Sequence, residues 1–336
     1  MSSGVRGKHA SRPLGRRGWA SFTVLGVCLA AGIILVSLAV HGSGSRPPAQ
    51  GGVATKTRVP ATAAPKVASA GPAPAPATAG AAGSPRAAGS GQDPFGPAAA
   101  SFLLTRTGTV LAAIYDVSTG HTWHLGQGPP QDEASVVKLD VLETLLAERN
   151  SIHAGLSVSD RSLTQQMIED SDNDAATSLW YEVGGAARIR SFNTAAGLAD
   201  TSPSPCVNCL DFPWPGWGLT TTTAADQLVL LRNLIEPSSL LTSAERSYAL
   251  SLMENVTPSQ RWGVSGGVPP QVTVALKNGW LPLNGSGTDW QINSVGWISG
   301  QGRDYLMAVL TTGNPTEQYG IDTIDQVASI VWNHMK

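Results

Sequence analysis

Apolar residues follow two different spacings along the chain, and the two spacings succeed each other in a definite order. The segment 108–126, GTVLAAIYDVSTGHTWHLG, is typical of two strands joined by a turn at Ser118-Thr119-Gly120. Helical spacing dominates from 135 to about 254, with one interruption, DFPWPGWG. Strand patterns then return in QVTVALKNGW, DWQINSVGWISG and DYLMAVLTT, and a helical pattern, IDTIDQVASIVWNHMK, ends the chain.

This order predicts an α+β fold. We expect the early and late strands to share one antiparallel sheet, with flanking helices and an inserted all-helical subdomain. The folded domain is predicted to span 100–336, which is long enough for one sizeable core. Within it, EASVVKLDVLETLLAE at 133–148 places Val136, Leu139 and Leu142 at intervals of three, as in a helix that faces a core.

The residues before this domain have a different character. Residues 1–18 are basic and contain no acid, and 19–41 contain an uncharged apolar run long enough to cross a bilayer as a helix. Because basic residues favour the cytoplasmic side, we expect a single-pass protein of the cell membrane, with a cytoplasmic tail and the folded domain outside. The alternative is a signal peptide cleaved near 37–39, which would give a secreted protein.

Residues 42–99 consist mainly of Pro, Ala, Gly and Ser, with too few large apolar side chains to form a core. They are predicted to be a disordered linker that holds the domain away from the membrane. The formal net charge of the whole chain is −2. A nucleic-acid partner is therefore not expected, because such a partner favours a protein with a basic patch.

Two of the three cysteines, Cys206 and Cys209, form a C-x-x-C pair outside the apolar run. Such a pair is compatible with a metal site, redox chemistry or a disulfide. A zinc site needs four ligands and no second pair exists, so a small disulfide is the preferred interpretation. No metal and no cofactor is predicted.

The helix predicted at 133–148 carries polar groups at its start. Ser135 and Lys138 are three residues apart in its first turn, and therefore on one face. Serine is a poor nucleophile unless a base takes its proton, and lysine serves as that base only if its pKa is lowered. A serine at a helix start is also a common N-cap, so the pair alone is a weak signal.

A second polar group, Ser171-Asp172-Asn173, lies between two helical patterns. Its hydroxyl could pass on a proton and its amide could bind a substrate carbonyl, although a turn with an N-cap needs the same residue types. The third group, Lys277-Asn278-Gly279, ends a predicted strand. It places a positive charge at the rim of the sheet, beside a glycine that lets a substrate approach the backbone.

In chain order these groups are S-x-x-K, S-D-N and K-x-G, a set that resembles the motifs of the serine β-lactamase and penicillin-binding protein (D,D-peptidase) superfamily, nearest to class A. The resemblance covers 100–336 and includes GLTTTTAADQLVLLRNLI, which looks like the start of the helix after the omega loop. It implies a β-lactamase/transpeptidase-like fold and a serine hydrolase that forms an acyl-enzyme with a β-lactam or a D-alanyl peptide of the peptidoglycan type.

The resemblance also implies catalytic roles. Ser135 would attack the amide carbonyl, and Lys138 would accept the proton of the serine. Ser171 would relay a proton to the leaving nitrogen, and Lys277 would hold Ser171 and the substrate carboxylate.

Substrate binding is implied for four further residues. Asn173 would bind the amide of the substrate side chain, and Gly279 would allow close approach. The backbone N–H of Trp280 would form the oxyanion hole with that of Ser135. Asn278 stands where the family has a threonine or serine whose hydroxyl binds the substrate carboxylate, so a changed preference is expected.

A second departure concerns release of the acyl group. Class A enzymes use a glutamate of the omega loop to activate water. The corresponding segment, SPSPCVNCLDFPWPGWG at 202–218, contains no glutamate, and Asp211 is its only acid. We therefore expect weak deacylation, with behaviour closer to a penicillin-binding protein. Its Trp214 and Trp217 are expected to anchor the loop or to line a groove.

Two other functions stay open. One is an esterase-like hydrolase on the same scaffold, which the same serine and lysine would serve. The other is a non-catalytic module that binds the cell wall, since one fold often carries unrelated functions.

Overall fold

A computed structural model describes residues 91–209, 212, 214–283 and 287–335. The predicted cytoplasmic tail, the apolar run and most of the predicted linker, together residues 1–90, lie outside the described residues, as does Asp211. Within the described ranges, no helix combines the length and apolar character needed to cross a bilayer.

The strands are β1 (Thr109–Asp116), β2 (Thr122–Leu125), β3 (Gln131–Asp132), β4 (Thr221–Thr222), β5 (Thr273–Pro282), β6 (Trp290–Gly300) and β7 (Arg303–Asn314). Five of them form an antiparallel sheet in the order β2-β1-β7-β6-β5, and β3 pairs with β4. The early strands therefore pair with the late ones, as the sequence predicts; Leu111 of β1, for example, lies opposite Leu310 of β7.

The helices are α1 (Gly96–Leu103), α2 (Lys138–Ser151), α3 (Val158–Glu169), α4 (Asn173–Glu182), α5 (Gly185–Ala196), α6 (Ala224–Ile235), α7 (Ser243–Glu254) and α8 (Glu317–His334). Short 3-10 turns span Ala134–Val137, Gly216–Leu219 and Pro258–Gln260. Helices α2 to α7 come between the first and last strands of the main sheet, which is the inserted helical subdomain that the sequence predicts.

The main sheet is a middle layer with a hydrophobic cluster on each face. Alternate residues of a strand point to opposite faces. Accordingly, Leu111 and Ala113 join the cluster that includes α2 to α7, while Val110 and Ala112 join the cluster with α1 and α8. Because both faces are buried, β1 is an almost continuous apolar run.

Two helix starts differ from the sequence-based boundaries. Helix α1 begins at Gly96, inside the segment 42–99 predicted as linker, because Phe95 and Ala99 pack into the cluster with α8. One phenylalanine in a Pro/Ala-rich stretch is too weak a pattern to reveal this. Helix α8 begins at Glu317, four residues before the predicted segment, because Thr316 caps it by accepting the backbone N–H of Tyr319.

The predicted helix at 133–148 is also divided. A 3-10 turn, Ala134–Val137, leads into α2. Every residue from Glu133 to Leu146 is buried, so the first part of α2 has neighbours on all sides. Its polar side chains therefore lie inside the domain.

Candidate active site

The chain reaches Ser135 through a tight turn between β3 and α2. Ala134 has a left-handed backbone, with φ of 51°, which costs a non-glycine residue on the order of 1 kcal/mol. The side-chain amide of Asn293 fixes the turn by donating to the carbonyl oxygens of Asp132 (2.8 Å) and Glu133 (3.0 Å). Ser135 is 9% exposed, and its hydroxyl is without a hydrogen bond to any described residue, so it is available to a ligand.

Strand β5 passes directly beside this turn. A Cβ atom on Gly279 would lie 2.8 Å from the backbone nitrogen of Ser135 and 2.7 Å from the carbonyl oxygen of Glu133. Atoms that close would clash, so only glycine allows the approach. The predicted third motif is thus brought against the predicted first one. Trp280, the next residue, is partly exposed at the same edge.

Lys138 lies at the first position of α2 with its side chain fully buried. Its Nζ donates to the carbonyl oxygen of Ser171 (2.5 Å), to the hydroxyl of Ser171 (3.1 Å) and to Oδ1 of Asn173 (2.7 Å). These bonds join the first and second motifs, which are 33 residues apart for the Lys138–Ser171 pair. The sequence predicts that these residues act together, and the fold places them in contact.

Ser171 is held between two amines. Its hydroxyl accepts from Nζ of Lys138 at 3.1 Å and from Nζ of Lys277 at 2.9 Å. Ser171 also has a left-handed backbone, with φ of 56°, and the adjacent Asp172 caps α4 by accepting the backbone N–H of Ala175 at 2.7 Å. The turn and the cap that the sequence allows are therefore both present, and the strained turn aims Ser171 at the lysines.

Burial lowers the pKa of both lysines. The pKa of Lys138 falls to about 6, chiefly through loss of solvent and further through the neighbouring Lys277, while Asp172 opposes the shift. The pKa of Lys277 falls to about 7 through loss of solvent. Each amine is therefore largely or partly neutral near neutral pH. A neutral amine keeps two N–H groups and has a lone pair, so neutral Lys138 donates to two of its three partners and is able to take a proton from a hydroxyl.

Asn278 is buried and turned toward the segment that follows α7. Its side-chain amide donates to the carbonyl oxygens of Gln260 (2.7 Å) and Trp262 (3.1 Å). Oδ1 of Asn278 is buried without a partner among the described residues. The ring centroids of Trp262 and Trp280 lie 6.1 Å apart. The predicted binding residues Asn278 and Trp280 thus belong to one small unit with Trp262, which no sequence pattern indicates.

The segment 202–218 covers Lys138 with an aromatic ring. The ring centroid of Trp217 lies 5.1 Å from Nζ of Lys138, and its Nε1 donates to the hydroxyl of Thr177 at 3.2 Å. Phe212 and Trp214 pack against Trp217. None of the residues of this segment that the structure describes is acidic. Trp217 is therefore a buried anchor of the loop. The sequence does not predict its contact with Lys138.

A disulfide between Cys206 and Cys209 lies next to the residue that precedes Trp217. The backbone N–H of Gly216 donates to the carbonyl oxygen of Cys206 at 2.7 Å, and a Cβ atom on Gly216 would lie 2.7 Å from Sγ of Cys209. The disulfide therefore packs directly on the residue before Trp217. Glycine is needed there because the sulfur occupies the space.

The sequence does not indicate a group of buried acids on the other side of α2. Glu133, Asp140 and Glu143 are fully buried, and their carboxyl oxygens are without hydrogen-bond partners among the described residues by strict geometry. Burial raises the pKa of all three, that of Asp140 to about 7, and the charge of Asp140 raises the pKa of Glu133 and Glu143 further. Two acids inside the otherwise apolar pattern KLDVLETL are the signal that could have revealed them. Across the described ranges, no cluster of three or more His, Cys, Asp or Glu residues is arranged to hold a metal ion.

Comparisons with known proteins agree with this geometry. A family model described as the beta-lactamase enzyme family matches residues 109–335. The protein named "Putative lipoprotein LppW" of Mycobacterium tuberculosis, strain ATCC 25618 / H37Rv, is 28% identical over 208 residues, which are 60% of this chain and 62% of that protein. The chain thus spans less than two thirds of the length of this relative.

Solved structures share the fold. The TLA-1 extended-spectrum beta-lactamase has a TM-score of 0.64 at 16% identity, over 71% of this chain and 97% of that one. The structure of PBP-A has a TM-score of 0.59 at 17% identity, over 71% of this chain and 94% of that one. At such identities the likeness shows the architecture, and the function has to be argued from the site.

Proposed function

Because the chain belongs to the beta-lactamase enzyme family, we propose that it is a serine hydrolase that forms an acyl-enzyme on Ser135. The substrate would carry an amide or ester bond of the β-lactam or D-alanyl peptide type. The observation that carries the proposal is the Ser171 hydroxyl, held between Nζ of Lys138 and Nζ of Lys277. Lys138 follows Ser135 by three residues, and the hydroxyl of Ser135 makes no hydrogen bond to a described residue. A protein that only binds the cell wall has no need of this arrangement.

In the proposed acylation, Oγ of Ser135 bonds to the substrate carbonyl carbon while neutral Lys138 takes the hydroxyl proton. The bond to the leaving atom then breaks, and that atom takes a proton from the Ser171 hydroxyl. Lys138 or Lys277 returns a proton to Ser171. The low pKa of Lys138 supports this role because an amine near its ordinary value would be protonated at neutral pH.

The oxyanion hole is proposed at the contact between β5 and the start of α2. Gly279 brings this strand within touching distance of the Ser135 nitrogen. The backbone N–H groups of Ser135 and Trp280 would then point at the developing negative charge. Loss of one such donor typically costs about 10²–10³-fold in rate.

Slow deacylation is part of the proposal. Hydrolysis of the acyl-enzyme needs a base next to an ordered water. From the described part of 202–218, the group that covers Lys138 is the ring of Trp217, which can neither accept a proton nor hold a water as a carboxylate would. Asp172, the acid that acts on Lys138, is engaged as the cap of α4.

A location outside the cell membrane is also proposed. The apolar run at 19–41 supports an anchor, and a relative is named as a lipoprotein. The Cys206–Cys209 disulfide fits an oxidising compartment. Membrane fractionation, with protease added to intact cells, tests this placement.

Acyl-enzyme formation is tested on the full-length chain in detergent with two acylating probes, benzylpenicillin and an activated neutral ester, by intact mass over time. We expect a long-lived adduct from at least one probe that maps to Ser135. Ser135→Ala should give no adduct, and Ser151→Ala, at the end of the same helix, should behave as wild type. A rapidly cleared adduct would contradict slow deacylation, and no adduct from either probe would favour the non-catalytic module.

A further inference from the structure

The rim of β5 decides what kind of leaving group the site accepts. In the proposed reaction Ser171 gives its proton to the leaving atom, so substituents on the leaving side lie near Ser171 and Lys277, at the part of β5 where Asn278 follows. A carboxylate at that place would need hydrogen-bond donors or a positive charge. The donors to consider are Asn278, the two lysines and the arginines.

Asn278 has no donor left to offer. Both of its amide hydrogens are directed to backbone carbonyls, those of Gln260 and Trp262, and the side chain is 1% exposed. The two carbonyls also fix the orientation of the amide, since only the NH₂ group can donate to both. What remains is Oδ1, which is buried and is only an acceptor, so Asn278 offers a carboxylate no hydrogen bond.

The two lysines offer little more. Lys138 makes three hydrogen bonds, to Ser171 and Asn173, and Lys277 makes two, to the hydroxyl of Ser171 and the carbonyl oxygen of Asn278. Burial lowers the pKa of these amines to about 6 and about 7. Above neutral pH the site therefore carries little positive charge.

Arginine does not supply the positive charge that the neutral lysines lack. Within the described ranges, no arginine makes a hydrogen bond or ion pair with the site residues Ser135, Ser171, Lys277 and Asn278. Arg261, which lies between the two residues that bind Asn278, is the nearest in sequence. Its guanidinium donates to the carbonyl oxygens of Glu254 (2.7 Å) and Val274 (3.4 Å), so these backbone groups engage it.

Aromatic surface takes the place of polar groups. Asn278 and Trp280 are two residues apart on one strand and therefore share a face. The ring of Trp280 contacts that of Trp262, and both are partly exposed. This pair packs against the cluster with α8 and leaves flat, mainly apolar surface exposed next to Asn278, and its two indole N–H groups carry no formal charge.

We propose that this site selects substrates with an uncharged leaving group and discriminates against a carboxylate beside the scissile bond. The inference rests on the proposed function. Among D-alanyl-type peptides it favours a terminus that is amidated or extended, and among simple esters it favours a neutral aromatic alcohol as the leaving group.

A matched pair of esters tests the preference. The phenylacetylglycyl esters of 3-hydroxybenzamide and 3-hydroxybenzoic acid differ in one group, a carboxamide in place of a carboxylate. We measure kcat/KM of the full-length chain for both at about pH 8, where the lysines are mostly neutral, and subtract the rate of Ser135→Ala. The carboxamide ester should react about tenfold faster or more, as expected when a charged group goes unpaired.

Asn278→Thr should shift this ratio toward the carboxylate ester by about tenfold, because a threonine hydroxyl is too short to reach both carbonyls and becomes a free donor. The ratio is independent of the folded fraction, since both esters report on the same molecules. Arg261→Gln should leave the ratio unchanged.

The outcomes separate the inference from its premise. Faster reaction of the carboxylate ester through Ser135, or a selective loss of that reaction in Arg261→Gln, overturns the inference and leaves the serine hydrolase intact. Equal rates for the two esters also overturn it. If Ser135→Ala reacts with both esters as wild type does, the proposed function fails and the inference fails with it.

Discussion

Two buried polar groups lie on different sides of α2, and their hydrogen bonding differs sharply. On one side, Lys138 and Lys277 direct their amines to Ser171 in well-formed hydrogen bonds. On the other, Asp140 and Glu143 face α5 and α6, where Asn193 and Asn233 are their nearest amides, without well-formed hydrogen bonds. The polar group that is fully satisfied is the one placed at the candidate active site.

The comparison shows that burial disfavours the charged form of a side chain, whether the charge is positive or negative. Loss of solvent lowers the pKa of Lys138 and Lys277 and raises that of Glu133, Asp140 and Glu143. Both groups are therefore driven toward neutrality inside the domain. For the lysines, neutrality is what a base requires. For the acids, it avoids the cost of three like charges in one apolar site.

The largest expected effect comes from removing the amine of Lys138. Lys138→Met keeps the length of the side chain and deletes the base, so acylation of Ser135 should slow by about 10²–10⁴-fold. The initial rate of adduct formation, measured by intact mass, gives this number.

Glu143→Gln is the matched control, since Glu143 lies on the same helix among the acids. Its acylation rate should stay near that of wild type. If Lys138→Met retained an acylation rate close to wild type, Lys138 would not be the base.

The second prediction concerns the pH dependence of folding stability. The pKa of Asp140 is raised to about 7 in the folded state from about 4 when unfolded, so between these values the folded state holds the extra proton. Stability from this group is complete at low pH and falls as pH rises, by up to about 1.4 kcal/mol per pH unit.

The lysines act in the opposite direction. Their folded pKa values, about 6 and about 7, lie below the unfolded value of about 10.4, so the unfolded state holds more protons in that interval and stability rises with pH. The free energy of unfolding, from urea titrations across pH, should therefore fall as pH rises toward neutrality, where Glu133 and Glu143 act in the same direction as Asp140. Above about pH 7 the two lysines oppose that decline.

Single variants separate the two limbs of this profile. Asp140→Asn should make the decline below neutrality less steep, and Lys277→Met should make the profile above neutrality slope further downward, because the upward contribution of Lys277 is lost. An unchanged slope below neutrality in Asp140→Asn, or an unchanged slope above it in Lys277→Met, would refute the assignment.

The smallest expected effect comes from the ring over Lys138. Trp217→Ala should admit water and raise the pKa of Lys138, because loss of solvent outweighs a cation–π contact worth about 1–2 kcal/mol. The acid limb of the acylation rate should then move upward by about one pH unit. Trp217→Phe keeps the ring and should change the rate by no more than a few fold.

Trp214→Ala is the control, since Trp214 contacts Trp217, whereas the ring over the amine is that of Trp217. An identical pH profile in Trp217→Ala and wild type would show that the ring does not set the environment of Lys138.

Much of the fold follows from the sequence because its signals are local. The apolar run of GTVLAAIYD and the spacing of Val136, Leu139 and Leu142 depend on residues close in the chain, and both segments form the expected elements. The sequence does not predict helix α1, because its packing depends on contacts of Phe95 with distant residues of the cluster with α8.

The candidate site divides in the same way. Its three motifs are short and ordered, so Ser135, Lys138, Ser171 and Lys277 could be selected from spacing and from resemblance. The orientation of Asn278 could not, because its amide binds carbonyls 16 and 18 residues earlier in a loop without a pattern. Nor could the ring over Lys138, which comes from the distant segment 202–218.

The sequence by itself determined the order of helices and strands and the residues proposed for acyl chemistry, since periodicity and residue type are properties of the chain. Only the tertiary structure decided the state of those residues. The hydroxyl of Ser171 meets Lys138 across 33 residues and Lys277 across 106, and burial sets the pKa of both amines. Desolvation and hydrogen bonding depend on neighbours in space, and spacing along a chain does not specify them.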